Sequence, residues 1–183
     1  LMRKGAAWQF DTAAGRLEIL YRRIGRNELS AIQASLAYVD AQNEYAERNS
    51  ANYAQRIVSR PGKKDGLYWS AAQGEEASPL GEQVAQATNE GYAVGGGRTP
   101  FHGYYFKILT SQGPMAAGGA VDYIVRGNMI GGFALVAYPA DYGNSGVMTF
   151  LVNYAGTVFQ KDLGERTTKL AERMTSFNPD QTW

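Results

Sequence analysis

Cysteine is absent from these 183 residues, which excludes disulfides, thiolate nucleophiles, sulfur-ligated zinc and iron–sulfur clusters in one step. Histidine is nearly absent: His102 is the only one, so it alone has an ordinary pKa suited to acid–base work near neutrality. A charge excess is missing too. Lys+Arg 18 against Asp+Glu 17 leaves a net charge of +1, far from the basic surplus that counterion-driven binding needs, so no nucleic-acid partner is expected. No run of about 18 apolar residues occurs, so no membrane span is expected, and Leu1-Met2-Arg3-Lys4-Gly5 does not lead into the apolar core of a signal peptide. The length suits one domain over residues 1–183. A start at Leu1 in place of methionine leads to the expectation of a piece of a longer gene product, any targeting segment then lost.

What is present divides into a helical first half and a stranded second half. Trp8-Gln9-Phe10 reads as a short extended piece, and Asp11 or Thr12 can cap a helix start. Leu17, Leu20, Tyr21 and Ile24 fall at i, i+3, i+4 and i+7, with Gly25 closing that helix. Asn27 is a natural cap for a second, longer helix striped by Leu29, Ile32, Leu36 and Val39 and running to about Arg48. Asp40, Glu44 and Glu47 on its later turns offer carboxylates to a hard cation but lack a ligating loop; a solvated acidic face is the simpler reading, and no metal site is assigned. Residues 51–58 read as a shorter helix stopped at Pro61-Gly62. Lys63-Lys64-Asp65-Gly66-Leu67-Tyr68-Trp69 is a polar turn into an aromatic pair, either a ligand-stacking Trp69 beside a basic lip or an anchor for a long connection. Ser78-Pro79 opens one more helix, ended near Gly91.

After Gly95-Gly96-Gly97-Arg98-Thr99-Pro100 the period changes from helical to alternating. Tyr104, Phe106 and Ile108 share one strand face and Tyr105, Lys107 and Leu109 the other, with Phe106 and Ile108 expected inward. Val121, Tyr123 and Val125 alternate before Gly127-Asn128, a two-residue hairpin signal. The return strand spans 129–138, and its Gly131-Gly132 pair marks a bulge or a close backbone approach. Residues 147–153 and 157–160 form a second hairpin around Ala155-Gly156. Leu163, Thr167, Leu170, Met174 and Phe177 repeat at helical spacing before Pro179. Helices followed by strands predict an α+β fold: N-terminal helices packed on a C-terminal antiparallel meander sheet, with a final C-terminal helix.

No catalytic motif is complete. Gly95-Gly96-Gly97 and the glycines from Gly113 to Gly119 lack the spacing and the Lys-Ser/Thr of phosphate loops, so no nucleotide or other cofactor is assigned. Gly143-Asn144-Ser145-Gly146 is one residue short of a nucleophile elbow and precedes a strand where the elbow precedes a helix. Catalytic candidates reduce to His102 with Tyr104, Asp122 and Ser145, and Asp141 as an alternative acid in a spatial triad. The other reading of His102 is a structural hydrogen-bonding residue. Binding candidates are Tyr68, Trp69, His102 and Tyr105, since aromatic faces suit sugars and peptides but also fill sheet surfaces.

Pro100-Phe101-His102-Gly103-Tyr104-Tyr105-Phe106, Gly131-Gly132-Phe133-Ala134-Leu135-Val136-Ala137-Tyr138-Pro139 and Tyr142-Gly143-Asn144-Ser145-Gly146-Val147-Met148-Thr149-Phe150 together resemble a bacterial family catalogued as domain of unknown function 2950. Arg23-Ile24-Gly25-Arg26-Asn27-Glu28-Leu29, Asp65-Gly66-Leu67-Tyr68-Trp69 and Lys161-Asp162-Leu163-Gly164 extend the likeness over nearly the whole chain. The resemblance implies an exported, periplasmic protein of Gram-negative bacteria, with residues 1–10 as the end of a preceding region, and brings no activity with it. The long helix with Ala31-Ile32-Gln33-Ala34-Ser35-Leu36, followed by strands, is also similar in shape to the globular part of type IV pilins, whose apolar anchoring helix is missing here. The expectation is a non-enzymatic binding or envelope-associated module, with a small molecule, a glycan or an envelope protein as partner. A hydrolase-like enzyme using His102 and a pilin-like assembly subunit are the alternatives.

Overall fold

The structure, a computed structural model, describes residues 2–5, 7–71, 74, 77–80 and 100–183. Strands β1 (Met2–Lys4) and β2 (Ala7–Gln9) pair antiparallel as a small hairpin. Asp11 then accepts a 3.0 Å hydrogen bond from the Ala14 amide, the N-cap of a single helix, α1 (Thr12–Arg48, 37 residues).

That helix corrects the expectation of two. Gly25 costs a helix interior only about 1 kcal/mol, and side chains on both sides of it, Arg23 and Asn27, are tied to the loop before residue 148. Asn27, expected as a cap, donates instead to the Ser145 carbonyl at 2.8 Å, and Glu28 Oε1 accepts from the amides of Val147 (2.9 Å) and Met148 (3.0 Å). These tertiary bonds outweigh a local breaker. The helix ends where Ser50 and Ala51 adopt left-handed φ of 54° and 61°. Residues 51–58, expected helical, are extended: Tyr53 bridges Met129 and Val58 bridges Tyr68, so pairing with distant segments replaces local turns. The helix expected from Ser78 lies, from residue 81 on, outside the described residues.

The central sheet is antiparallel in the order β10-β9-β8-β3, built from β3 (Tyr104–Leu109), β8 (Ala134–Pro139), β9 (Met148–Asn153) and β10 (Val158–Asp162). Register pairs Phe106 with Ala137 and Ala137 with Phe150. All six residues of β8 are buried, because helices cover both faces. On one face Ala31 of α1 packs with Tyr104, Ala137 and Phe150. On the other, Lys107 Nζ donates to the carbonyls of Glu172 and Met174, both at 2.6 Å, closing the C-terminus of α2 (Thr167–Arg173). Phe106 and Ile108, expected as the inward residues of β3, are half-buried, while Tyr104 and Leu109 are the ones fully enclosed.

Around this sheet lie β4 (Ser111–Gln112), β5 (Val121–Asp122), β6 (Ile124–Val125), β7 (Asn128–Met129) and β11 (Ser176–Phe177), where β11 runs parallel to β4. The hairpin turn falls one residue earlier than expected: Val125 pairs with Asn128, so Arg126 and Gly127 form the loop with φ of 52° and 81°. The return strand is split at Gly131-Gly132. A methyl on Gly131 would meet the Asp122 carbonyl oxygen at 2.5 Å and one on Gly132 the Tyr123 ring at 2.9 Å, so the close approach expected there is present. The final helix is shorter than its stripe, because a 3-10 turn (Gly164–Arg166) precedes α2 and Phe177 has left it to pair beside β4 in β11.

Candidate functional site

The lone histidine sits at the apex of a tight turn. Phe101 and Tyr104 exchange two backbone hydrogen bonds of 2.9 Å, which forces His102 and Gly103 into φ of 45° and 73°. A methyl on Gly103 would come within 2.8 Å of Asn27 Nδ2 and Ser145 Cβ, so the turn is pressed against α1 and the loop before β9. The His102 ring lies edge-on to Phe101 at 4.3 Å.

Ser145 and Tyr104 come to the same corner as His102, but their hydroxyls are committed elsewhere. Ser145 Oγ is within donating distance of the carbonyls of Gly103 (2.8 Å) and Asp141 (3.1 Å) and accepts from the Asp141 amide at 3.0 Å. It closes a loop in the way a structural serine does. Tyr104 is fully buried, donates to the Met148 carbonyl at 2.8 Å, and is held neutral by burial and then by the nearby Glu28 charge, which raise its pKa. Asp141 Oδ2 accepts from Asn144 Nδ2 at 2.7 Å. Asp122 lies beyond the far end of β3, paired with Ser111, its carboxylate accepting from the Ile124 amide at 3.0 Å. Strand length therefore separates Asp122 from the His102 turn. Tyr105 packs on the sheet against Tyr138 with ring centroids 5.7 Å apart.

A second candidate place is a cleft beside the Tyr68–Trp69 pair. Two extended segments run side by side through the Val58–Tyr68 bridge, with Ser59 N to Tyr68 O at 2.8 Å and Tyr68 N to Ile57 O at 2.9 Å. Gly66 permits this approach, since a methyl there would lie 2.7 Å from the Ser59 amide nitrogen. The loop between them encloses a cleft of about 630 Å³ lined by Arg60, Lys63, Lys64, Tyr68 and Trp69 among others. Neither His102 nor Tyr105 lines it. Lys64 Nζ stands 5.3 Å from the Trp69 ring centroid, a cation–π contact. Trp69 is buried at 9% exposure and belongs to the main core, so it anchors the connection and walls the cleft at once.

Asp65 fixes the shape of this lip. It accepts from the Arg60 amide at 2.9 Å and from Arg60 Nε at 2.5 Å, and these bonds, the backbone one foremost, hold its pKa below the ordinary carboxylate value. On the other side of the Arg60–Asp65 pair lies a polar hollow of about 370 Å³ whose lining includes Asn49, Asn52, Gln55 and Asn128. The basic lip is legible in Lys63-Lys64. Arg60 and the amides are not, because residues 51–58 read as helix and only the observed non-helical path turns these groups toward one another.

No group of three or more His, Asp or Glu side chains able to hold a metal occurs among the described residues, and Glu44 is paired with Arg48. The family model described as "Protein of unknown function (DUF2950)" matches residues 1–183. No curated protein and no solved structure matches the chain.

Proposed function

Since the chain belongs to the DUF2950 family of proteins of unknown function, whose description supplies no chemistry, we propose from the residues themselves a non-enzymatic module of the bacterial envelope that binds an acidic glycan. The observation that carries this reading is the cleft in which Arg60, Lys63 and Lys64 surround the Tyr68–Trp69 wall. Aromatic faces take the apolar faces of sugar rings, and guanidinium and ammonium groups take carboxylates. The amide-lined hollow beyond Arg60–Asp65 adds donors and acceptors suited to hydroxyls. The commitment of Ser145 Oγ to main-chain groups weighs against a hydrolase built on His102, and the export implied by the family resemblance supports the envelope placement.

Titration calorimetry with uronic-acid oligosaccharides, and with neutral glucose oligosaccharides as control, tests the reading. Binding is expected for the acidic series only, weakening with added salt and falling at least tenfold in Lys63→Ala/Lys64→Ala and in Tyr68→Ala. His102→Ala is expected to bind as the parent does. Equal binding of neutral and acidic sugars, or turnover that disappears in His102→Ala, would overturn it.

A further inference from the structure

The stripe that seats α1 on the sheet does not stop where the sheet stops. From Ile24 onward it is buried through Ala31, Ser35, Tyr38 and Gln42. Among the described residues, the last ties on the N-terminal side are Arg23 to Asn144, Asn27 to Ser145 and Glu28 to the residues that begin β9. Toward the N-terminus the same face continues at helical spacing through Tyr21, Leu20 and Leu17, with Tyr21 62% and Leu17 51% exposed. Just before the helix, Trp8 is 68% and Phe10 85% exposed. Large apolar side chains gathered in this way mark an interaction surface.

Charge indicates what covers it. Residues 1–27 carry Arg3, Lys4, Arg16, Arg22, Arg23 and Arg26 against Asp11 and Glu18, a net +4, in a chain whose total is +1. Arg16 and Arg22 flank the apolar stripe, and Arg3 stands directly across β1–β2 from Trp8. A basic amphipathic helix with an aromatic residue at its entrance has the make-up of an element that lies in the plane of an anionic bilayer, apolar side chains among the upper acyl chains and guanidiniums at the phosphates. A symmetric pairing with a second copy would set two +4 surfaces together, and nucleic acid would leave the stripe exposed.

We infer that the β1–β2 hairpin and the first three turns of α1 form a docking surface for an anionic lipid membrane. This goes beyond the glycan-binding reading and stands or falls separately from it, since the Trp69 cleft contains none of these residues.

Co-sedimentation of the chain with vesicles of equal phosphatidylglycerol and phosphatidylcholine, against vesicles of phosphatidylcholine alone, tests it. Binding is expected to be at least tenfold tighter to the anionic vesicles and to weaken as salt is raised. Arg16→Gln/Arg22→Gln is expected to cost on the order of tenfold or more, and Leu17→Ser/Tyr21→Ser to abolish sedimentation. These side chains are exposed, so both variants are expected to keep the parent's circular dichroism and melting temperature. Trp8 fluorescence, isolated by comparison with Trp8→Phe, is expected to shift to the blue on anionic vesicles only. Equal binding to both vesicle types, no binding to either, or a concentration-dependent dimer that Leu17→Ser/Tyr21→Ser dissolves would each overturn the inference, the last by giving the stripe to a second copy.

Discussion

Gly146 shows how tightly one residue can be determined by its neighbours. It has no need of a left-handed backbone; what it lacks is room, because a methyl group there would overlap the hydroxyl and ring of Tyr104. Tyr104 cannot yield easily, since it is fully enclosed and bonded to the Met148 carbonyl. Gly146→Ala is therefore expected to destabilise the fold by about 1–3 kcal/mol, read as a lower urea midpoint with an unchanged slope. An unaffected midpoint would mean that the loop before β9 shifts freely and that the corner around His102 is soft. The Gly143-Asn144-Ser145-Gly146 string resembles half of a catalytic elbow on paper, yet Ser145 and Gly146 are both accounted for by packing against Gly103 and Tyr104. At this scale the residue types were legible, and their purpose was not, because purpose depends on which groups 40 or 120 positions away come to meet them.

Elements were read well wherever local pattern and tertiary pairing agree. Strand β3 and the β9–β10 hairpin lie where alternation places them, and Asp11 caps α1 as its side chain suits it to do. Disagreement arose where a long-range partner outbid a local rule. Gly25 reads as a helix end, but the helix passes through it because Arg23, Asn27 and Glu28 are all bonded to the loop before β9. Space around Gly25 is open, so Gly25→Ala is expected to raise stability by about 0.5–1 kcal/mol through helix propensity and a less flexible unfolded chain. Chemical denaturation checks this; a loss of stability would show that α1 needs a flexible point where it leaves the sheet. Residues 51–58 illustrate the opposite case, in which moderate helix formers become extended because Tyr53 and Val58 find bridge partners at Met129 and Tyr68.

Across the whole molecule the interior is unusually rich in tyrosine. Tyr38, Tyr104 and Tyr123 are fully or nearly fully buried. Burial raises the pKa of each, that of Tyr123 up to about 12. A raised folded pKa means that the unfolded chain releases these protons first, at about pH 10. The stability they contribute is therefore complete below about pH 10 and is lost as pH climbs from there through the folded values. Alkaline titration followed by tyrosinate absorbance and circular dichroism is expected to show Tyr38, Tyr104 and Tyr123 ionising only together with unfolding. Tyr123→Phe, which also removes the 3.0 Å bond to Gln112, is expected to make the loss of stability above pH 10 shallower. Smooth titration of all tyrosines in a folded chain would contradict the closed core. The sequence by itself determined the α+β class, the antiparallel sheet and the absence of thiol chemistry, because these follow from composition and from hydrophobic period, which are properties of neighbouring residues. Only the tertiary structure decided that α1 is one helix, that Ser145 fastens a loop, and that Arg60, Lys63, Lys64, Tyr68 and Trp69 share a cleft. Each of these depends on contacts between segments far apart in the chain, where the free energy of a buried hydrogen bond or a packed ring exceeds what local preference can oppose.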